Sequence, residues 1–183
     1  YKRQEVLLAS IDFWGLETAV KKCIGMFAFA LWDKEKKLLH LVRDRIGIKP
    51  LYYGWAKNHF VFASELKPFR FHPDFEREID RNSLALLLQY NFIPTPFSIY
   101  KNIYKLQPGT ILTLDSKNFS KGIPNLVSYW SLDQVVEQGL LNPFQESEAK
   151  IVENLEKLLR DSIELRMISD VPLGAFLSGG IDS

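Results

Sequence analysis

Residues 27–42 read FAFALWDKEKKLLHLV, and the class of the fold turns on them. The first six form a short apolar run, residues 33–37 a charged turn, and residues 38–42 a second apolar run, which is the pattern of a β-hairpin. Working outward, Arg43-Asp44-Arg45 and the glycine of Ile46-Gly47-Ile48 come next. Residues 51–55 and 60–63 then repeat the strand pattern around Lys57-Asn58-His59. Runs that are apolar on both sides predict a sheet covered on both faces. Upstream, residues 5–9 and 16–22 read as helical, with Gly15 between them.

Beyond Pro73 the pattern turns helical, with Asp80 as the N-cap of a segment running to Tyr90 that Ile93-Pro94-Thr95-Pro96 stops. Pro108-Gly109 signals a turn before a strand at 110–114. The polar stretch 115–127, with Gly122 and Pro124, lies inside the junction region, which falls between Asn91 and Asn142. Residues 147–168 give the clearest helix. Ile151, Leu155, Leu158, Leu159, Ile163 and Met167 lie on one stripe, and Glu146/Lys150, Glu153/Lys157 and Glu156/Arg160 are spaced for i,i+4 support. Asp170-Val171-Pro172 breaks that helix, and residues 173–177 read as a short buried strand feeding into Ser178-Gly179-Gly180-Ile181-Asp182-Ser183.

Composition sets the limits. At 183 residues and 46% hydrophobic, the chain is long enough to bury a core in one or two domains. With 23 Lys plus Arg against 22 Asp plus Glu, it shows neither a nucleic-acid footprint nor a polybasic membrane surface. Cys23 stands alone, so there is no internal disulfide framework and a reducing cytoplasm is the simplest setting. No apolar stretch reaches the roughly 18 residues of a membrane span, and the start carries no signal pattern. His40, His59 and His72 lack ligand spacing, and the four tryptophans read as core or interface residues.

The chemistry concentrates at the end of the chain. Glycines after a buried strand let the backbone approach a ligand, so that successive amides and the Ser178 and Ser183 hydroxyls converge on phosphate oxygens. An isolated Ser-Gly-Gly is more often a flexible turn, but the strand ahead of it and the full string favour a phosphate loop. With Val171-Pro172-Leu173-Gly174 before it, the string resembles the pyrophosphate-binding loop of the ATP pyrophosphatase superfamily. The long helix and Ser169-Asp170-Val171-Pro172 are similar to the glutamine-hydrolysing asparagine synthetases. Three further stretches resemble the C-terminal part of that family's class II glutaminase domain: Gly25-Met26-Phe27-Ala28-Phe29-Ala30-Leu31-Trp32-Asp33, Arg43-Asp44-Arg45-Ile46-Gly47-Ile48-Lys49-Pro50-Leu51-Tyr52-Tyr53 and Ala63-Ser64-Glu65-Leu66-Lys67.

The resemblance implies an α+β chain in three parts. Residues 1–115 would form an incomplete N-terminal-nucleophile glutaminase sandwich and residues 116–146 a linker. Residues 147–183 would supply the first helix and strand of an α/β ATP pyrophosphatase domain. In such enzymes glutamine is hydrolysed, ammonia passes internally, and ATP activates aspartate as β-aspartyl-AMP, which ammonia converts to asparagine. The implied small molecules are glutamine, aspartate, ATP and Mg²⁺, in a cytoplasmic enzyme that is a candidate homodimer without nucleic-acid or membrane partners. Leu177 would meet the nucleotide; Ser178, Gly179, Gly180, Asp182 and Ser183 would meet its phosphates; and Asp182 is the candidate Mg²⁺ ligand.

Two departures limit what carries over. Tyr1 stands where the family has a nucleophilic N-terminal cysteine, and a phenol does not replace that thiol. Lys2-Arg3-Gln4-Glu5 stands where the family usually has Ser-Asp-Thr-Glu, whose aspartate binds the α-ammonium of glutamine. No catalytic and no glutamine-binding residue is therefore assigned, Cys23 is read as a small core or near-core residue, and the chain is expected to be an internal piece, inactive alone. Arg43, Asp44 and Arg45 read as a charge-paired bend. The alternatives are a relative that amidates another carboxylate and a non-catalytic amidotransferase-like binding module.

Overall fold

The hairpin is present in register. Strand β1 (Ala28–Asp33) pairs antiparallel with β2 (Leu38–Arg43), from Ala28 opposite Arg43 to Asp33 opposite Leu38. Asp33 closes the turn, its Oδ1 accepting from the amides of Glu35 (3.0 Å) and Lys36 (2.8 Å). The computed structural model describes residues 2–115 and 124–181, which divide into one unit up to Val136 and a second from Glu137 onward.

In the first unit, α1 (Lys2–Trp14) and α2 (Leu16–Lys22) precede the hairpin, with Gly15 between them at φ 77°. The second expected hairpin is β3 (Tyr52–Ala56) with β4 (His59–Ala63). A 3-10 turn (Lys67–Phe71) leads on towards α3 (Arg81–Tyr90), and then come β5 (Ile103–Lys105), β6 (Thr110–Asp115) and β7 (Asn125–Ser128). These strands form two sheets, ordered β1-β2-β6-β7 and β4-β3-β5. Asp80 caps α3, its Oδ1 accepting from the Asn82 amide at 2.9 Å. The helix ends at Asn91, in the left-handed region at φ 61°, two residues ahead of the Ile93-Pro94-Thr95-Pro96 segment expected to stop it.

The middle of the first sheet is covered on both faces. Leu41, Leu112 and Leu114 pack with Leu51 and Leu106, against Tyr53, Trp55 and Phe60 of the second sheet. Val42 and Ile111 face the other way, onto Val20 of α2 and Tyr129. Two-sided burial thus holds for β2 and β6. The edge strands β1 and β4 are less fully covered: Ala28 and Phe60 pack on the core, but Ala30, Trp32 and Phe62, further along the same faces, are exposed. Gly54 lets the sheet close on its neighbouring turn: a Cβ there would lie 1.9 Å from the Asn102 carbonyl oxygen.

The expected linker, 116–146, contains structure of its own. Strand β7 adds to the first sheet and α4 (Leu132–Leu141) follows it; residues 116–123 lie outside the described chain. Four residues of Asn125-Leu126-Val127-Ser128 carry too little alternation to announce a strand, and pairing to β6 is what stabilises them.

In the second unit, α5 (Glu148–Glu164) begins after Ser147 and ends before residue 168; its 17 residues span about 25 Å. Arg160 and Glu156 pair at 2.8 Å as expected, but Lys150 turns to Glu153 (2.8 Å), and Glu146 accepts from Asn154 instead. The stripe of Leu155, Leu158, Leu159 and Ile163 is exposed. Residues 173–177 form no strand, and Phe176 and Leu177 are fully open to solvent. A strand is stabilised by ladder hydrogen bonds and a covered face, and no other strand exists among the described residues of this unit to supply either.

Two outcomes test this packing. Gly54→Ala should lower the unfolding free energy by about 2 kcal/mol, because the Asn102 backbone must shift to admit the methyl; an unchanged urea midpoint would contradict it. His40, half-buried on β2 with Nδ1 2.9 Å from Thr113 Oγ1, has its pKa lowered first by burial and then by Lys36, with Asp33 acting against. Its unfolded form therefore binds the proton more readily. Stability should be highest above about pH 6.5 and fall as pH drops from there through the depressed folded value, and His40→Gln should remove that part of the slope in urea titrations at several pH values.

Candidate functional site

The described residues expected to form a phosphate loop lie in an open segment. Leu177, Ser178, Gly179 and Gly180 are exposed, and Ser178 Oγ accepts from the Gly180 amide at 3.3 Å. A Cβ at Gly179 would meet nothing within 4 Å, so the backbone is approachable from outside. The donor set of glycine amides and a serine hydroxyl suits phosphate oxygens. Asp182 and Ser183, the remaining predicted phosphate and Mg²⁺ residues, lie outside the described chain.

The best-built polar centre is elsewhere, in the bend after β2. Arg43 and Asp44 are buried there, 8% and 1% exposed. The Arg43 guanidinium donates to three carbonyls: Lys49 (2.9 Å, from Nε), Gly47 (2.6 Å, from Nη2) and Leu106 (from Nη1). The Asp44 carboxylate accepts from three amides: Ile48 (2.9 Å), Lys49 (2.9 Å) and Phe27 (3.3 Å). The Asp44 backbone carbonyl takes the Gly47 and Gly109 amides (3.0 and 2.9 Å), and the Tyr129 hydroxyl donates to the Arg43 carbonyl at 2.8 Å. The expected charge-paired bend is thus corrected. Both charged side chains are spent on backbone groups, which an interior bend must satisfy or leave at a cost. Gly47 permits this at φ 71°, where a Cβ would lie 2.9 Å from Pro108 and 3.0 Å from the guanidinium carbon.

Burial lowers the Arg43 pKa, while neighbouring Asp44 and Tyr52 act in the opposite direction. Lys105, beside this centre, donates through Nζ to the Ile93 carbonyl, and burial followed by Arg43 lowers its pKa. Burial pushes the Tyr129 phenol up to about 12, so it remains a donor. With its acceptor positions occupied by amides, Asp44 is a structural anchor and not a general base.

The other candidates are quiet. Cys23 is half-buried and unpaired; burial raises its pKa more than nearby Arg45 lowers it, which is the opposite of an activated thiol. Arg45 itself donates to the Lys21 carbonyl at 2.7 Å. Among the described residues no group of three His, Cys, Asp or Glu side chains is arranged to hold a metal ion, and no helix is long and apolar enough to cross a membrane. A cleft of about 430 Å³ adjoins the bend, lined by Arg45, Gln107, Thr110, Trp130 and Asp133 among others. Tyr129 and Lys105 carried no sequence signal, since one follows a short unannounced strand and the other lies in one.

Asp44→Asn should destabilise the first unit by about 3 kcal/mol, because the amide offers a single acceptor oxygen to three buried N–H groups. Chemical denaturation would show this as a lower midpoint, and an unfolding free energy within about 0.5 kcal/mol of the parent would contradict the assignment.

Residues 3–130 match the family described as glutamine amidotransferase domain, and residues 154–183 match the asparagine synthase family. A Methanocaldococcus jannaschii protein, provisionally named a glutamine-hydrolyzing asparagine synthetase, is 39% identical over 183 residues, covering 98% of this chain and 33% of its own. The asparagine synthetase (glutamine-hydrolyzing) 3 of Bacillus subtilis is 36% identical over 180 residues, covering 98% of this chain and 27% of its own. A Penicillium rubens protein named amidase chyE is 30% identical over 182 residues, covering 98% and 25%. The chain spans about a quarter to a third of the length of these relatives. It belongs to the family of glutamine amidotransferase domains found in the glutamine-hydrolysing asparagine synthetases.

Proposed function

We propose that the chain serves ATP-dependent amidation of aspartate, with ammonia drawn from glutamine, as part of a glutamine-hydrolysing asparagine synthetase. The observation that carries this reading is the order of the two family matches, glutamine amidotransferase domain and then asparagine synthase, along one chain. On this reading residues 1–115, together with β7, belong to the glutaminase domain, the rest of 116–146 connects the two, and 147–183 open the ATP-binding synthetase domain.

ATP and Mg²⁺ fit the residues present in their donor chemistry. Glycine amides and serine hydroxyls from Ser178 to Ser183 suit phosphate oxygens, Leu177 offers an apolar contact to the nucleotide, and Asp182 offers a carboxylate to Mg²⁺, an oxygen-preferring ion. ATP supplies activation: the aspartate β-carboxylate displaces pyrophosphate at the α-phosphorus, and ammonia then displaces AMP at the acyl carbon. The chain's own part is to present open backbone at Gly179 and Gly180, where a side chain would obstruct approach. A cytoplasmic setting belongs to the same proposal, supported by the single unpaired Cys23.

A second reading keeps the chemistry and changes the acceptor carboxylate. The amidase named among the relatives favours it, since that protein is similar along nearly the whole chain without carrying the synthetase name.

The two readings separate in one assay of the full-length protein that carries this segment, supplied with glutamine, MgATP and aspartate. The first predicts asparagine and AMP in equal amounts. AMP formation that ignores aspartate and needs another carboxylate establishes the second, and ADP as the product rejects both.

A further inference from the structure

The cleft beside the Arg43–Asp44 bend encloses about 430 Å³, the size of a small-molecule site, and every residue that lines it belongs to the first unit. Its walls are held by the hydrogen bonds that hold the bend: the Gly109 amide donates to the Asp44 carbonyl, and the Tyr129 and Trp130 amides donate to the Gly109 carbonyl, at 2.9 and 3.3 Å. Its hydroxyls are already committed to backbone groups. Thr110 Oγ1 donates to the Gln107 carbonyl at 2.6 Å, Ser128 Oγ donates to the Trp130 carbonyl at 3.0 Å, and Ser131 Oγ accepts from the Gln134 amide at 3.4 Å. Two opposite charges are not committed in this way. Arg45 places one N–H on the Lys21 carbonyl, and neither it nor Asp133, in the first turn of α4, has an ion-pair partner among the described residues. They line one cleft without bridging each other. Ile46, Pro108, Leu132 and the half-buried Trp130, which packs against the Val20–Tyr129 core, add an apolar wall.

We infer that this cleft binds a free α-amino acid with an apolar side chain. A ligand with one charge of each sign satisfies both uncompensated groups at once, its carboxylate on the Arg45 guanidinium and its ammonium on the Asp133 carboxylate. A ligand with only an anion meets like charge at Asp133, and one with only a cation meets it at Arg45, so the pair selects against both. The apolar wall gives the side chain a surface to cover, worth about tenfold in affinity for a chain the size of leucine's.

The test uses the full-length protein that carries this segment, with leucine as the probe. Leucine has neither a side-chain carboxylate to activate nor a side-chain amide to hydrolyse, so its binding is independent of the function proposed above. It should slow hydrogen exchange in peptides covering residues 107–110 and 128–134. Calorimetry should find leucinamide, N-acetylleucine and glycine each about tenfold weaker, since they lack the anion, the cation and the side chain respectively. Asp133→Asn should weaken leucine by about the same factor. Asp133 is exposed and outside every described ion pair, so this variant keeps the fold even where Arg45→Gln, which also loses the Lys21 contact, does not. No protection of those peptides at about 10 mM leucine overturns the inference. So does N-acetylleucine binding as tightly as leucine, or an unchanged leucine affinity in Asp133→Asn.

Discussion

The first unit depends on one arrangement: a buried arginine and a buried aspartate, adjacent in sequence, each satisfying three backbone groups instead of each other. A sharp interior bend strands several carbonyls and amides away from water, and orphaned groups of this kind cost more than most core contacts contribute. Arg43 collects the carbonyls and Asp44 the amides. Five segments are tied together in this way: the residue before β1, the end of β2, the 47–49 bend, the turn before β6, and Tyr129 after β7. The sandwich closes around that centre, because Leu106 and Leu51, which join the two sheets, sit on the segments it fixes.

The second unit offers a contrast. Its helix has a coherent apolar stripe, capable side-chain pairs and an open segment rich in phosphate-suited donors, yet none of its described side chains is buried. Helical periodicity and i,i+4 pairs are local properties that 17 residues can satisfy alone. A strand is different, since its hydrogen bonds and its covered face both come from neighbours, and residues 173–177 have none among the described residues. The same physics explains why β7, with only four residues, is ordered: β6 is there to receive it.

What was legible in the sequence follows that division. The hairpins at 28–43 and 52–63, the Asp80 cap and the strand from Thr110 were readable because each is announced by local pattern and turn chemistry. The hub was visible only as three consecutive charges. Sequence gives no sign that a guanidinium will face carbonyls 4, 6 and 63 residues away, so pairing within the triplet was the natural and incorrect expectation. Tyr129 was likewise silent, since its importance comes from the Arg43 carbonyl, 86 residues earlier. For residues 177–183 the reverse holds: the residue types behind the expected phosphate loop are explicit in the sequence, and no strand among the described residues of the second unit supports them.

Native-state hydrogen exchange tests the central claim most directly, through the amides that bond the centre: Phe27, Ile48 and Lys49 on the Asp44 carboxylate, Gly109 on the Asp44 carbonyl, and Tyr129 on Gly109. If the first unit depends on this bend, these loop amides should exchange only through the opening that also exposes Val42 and Leu112 in the central strands, with a shared free energy and a shared denaturant dependence. Exchange of the loop amides through separate low-energy openings, while the strand amides stay protected, would show that the sheets stand without the bend and would contradict the account.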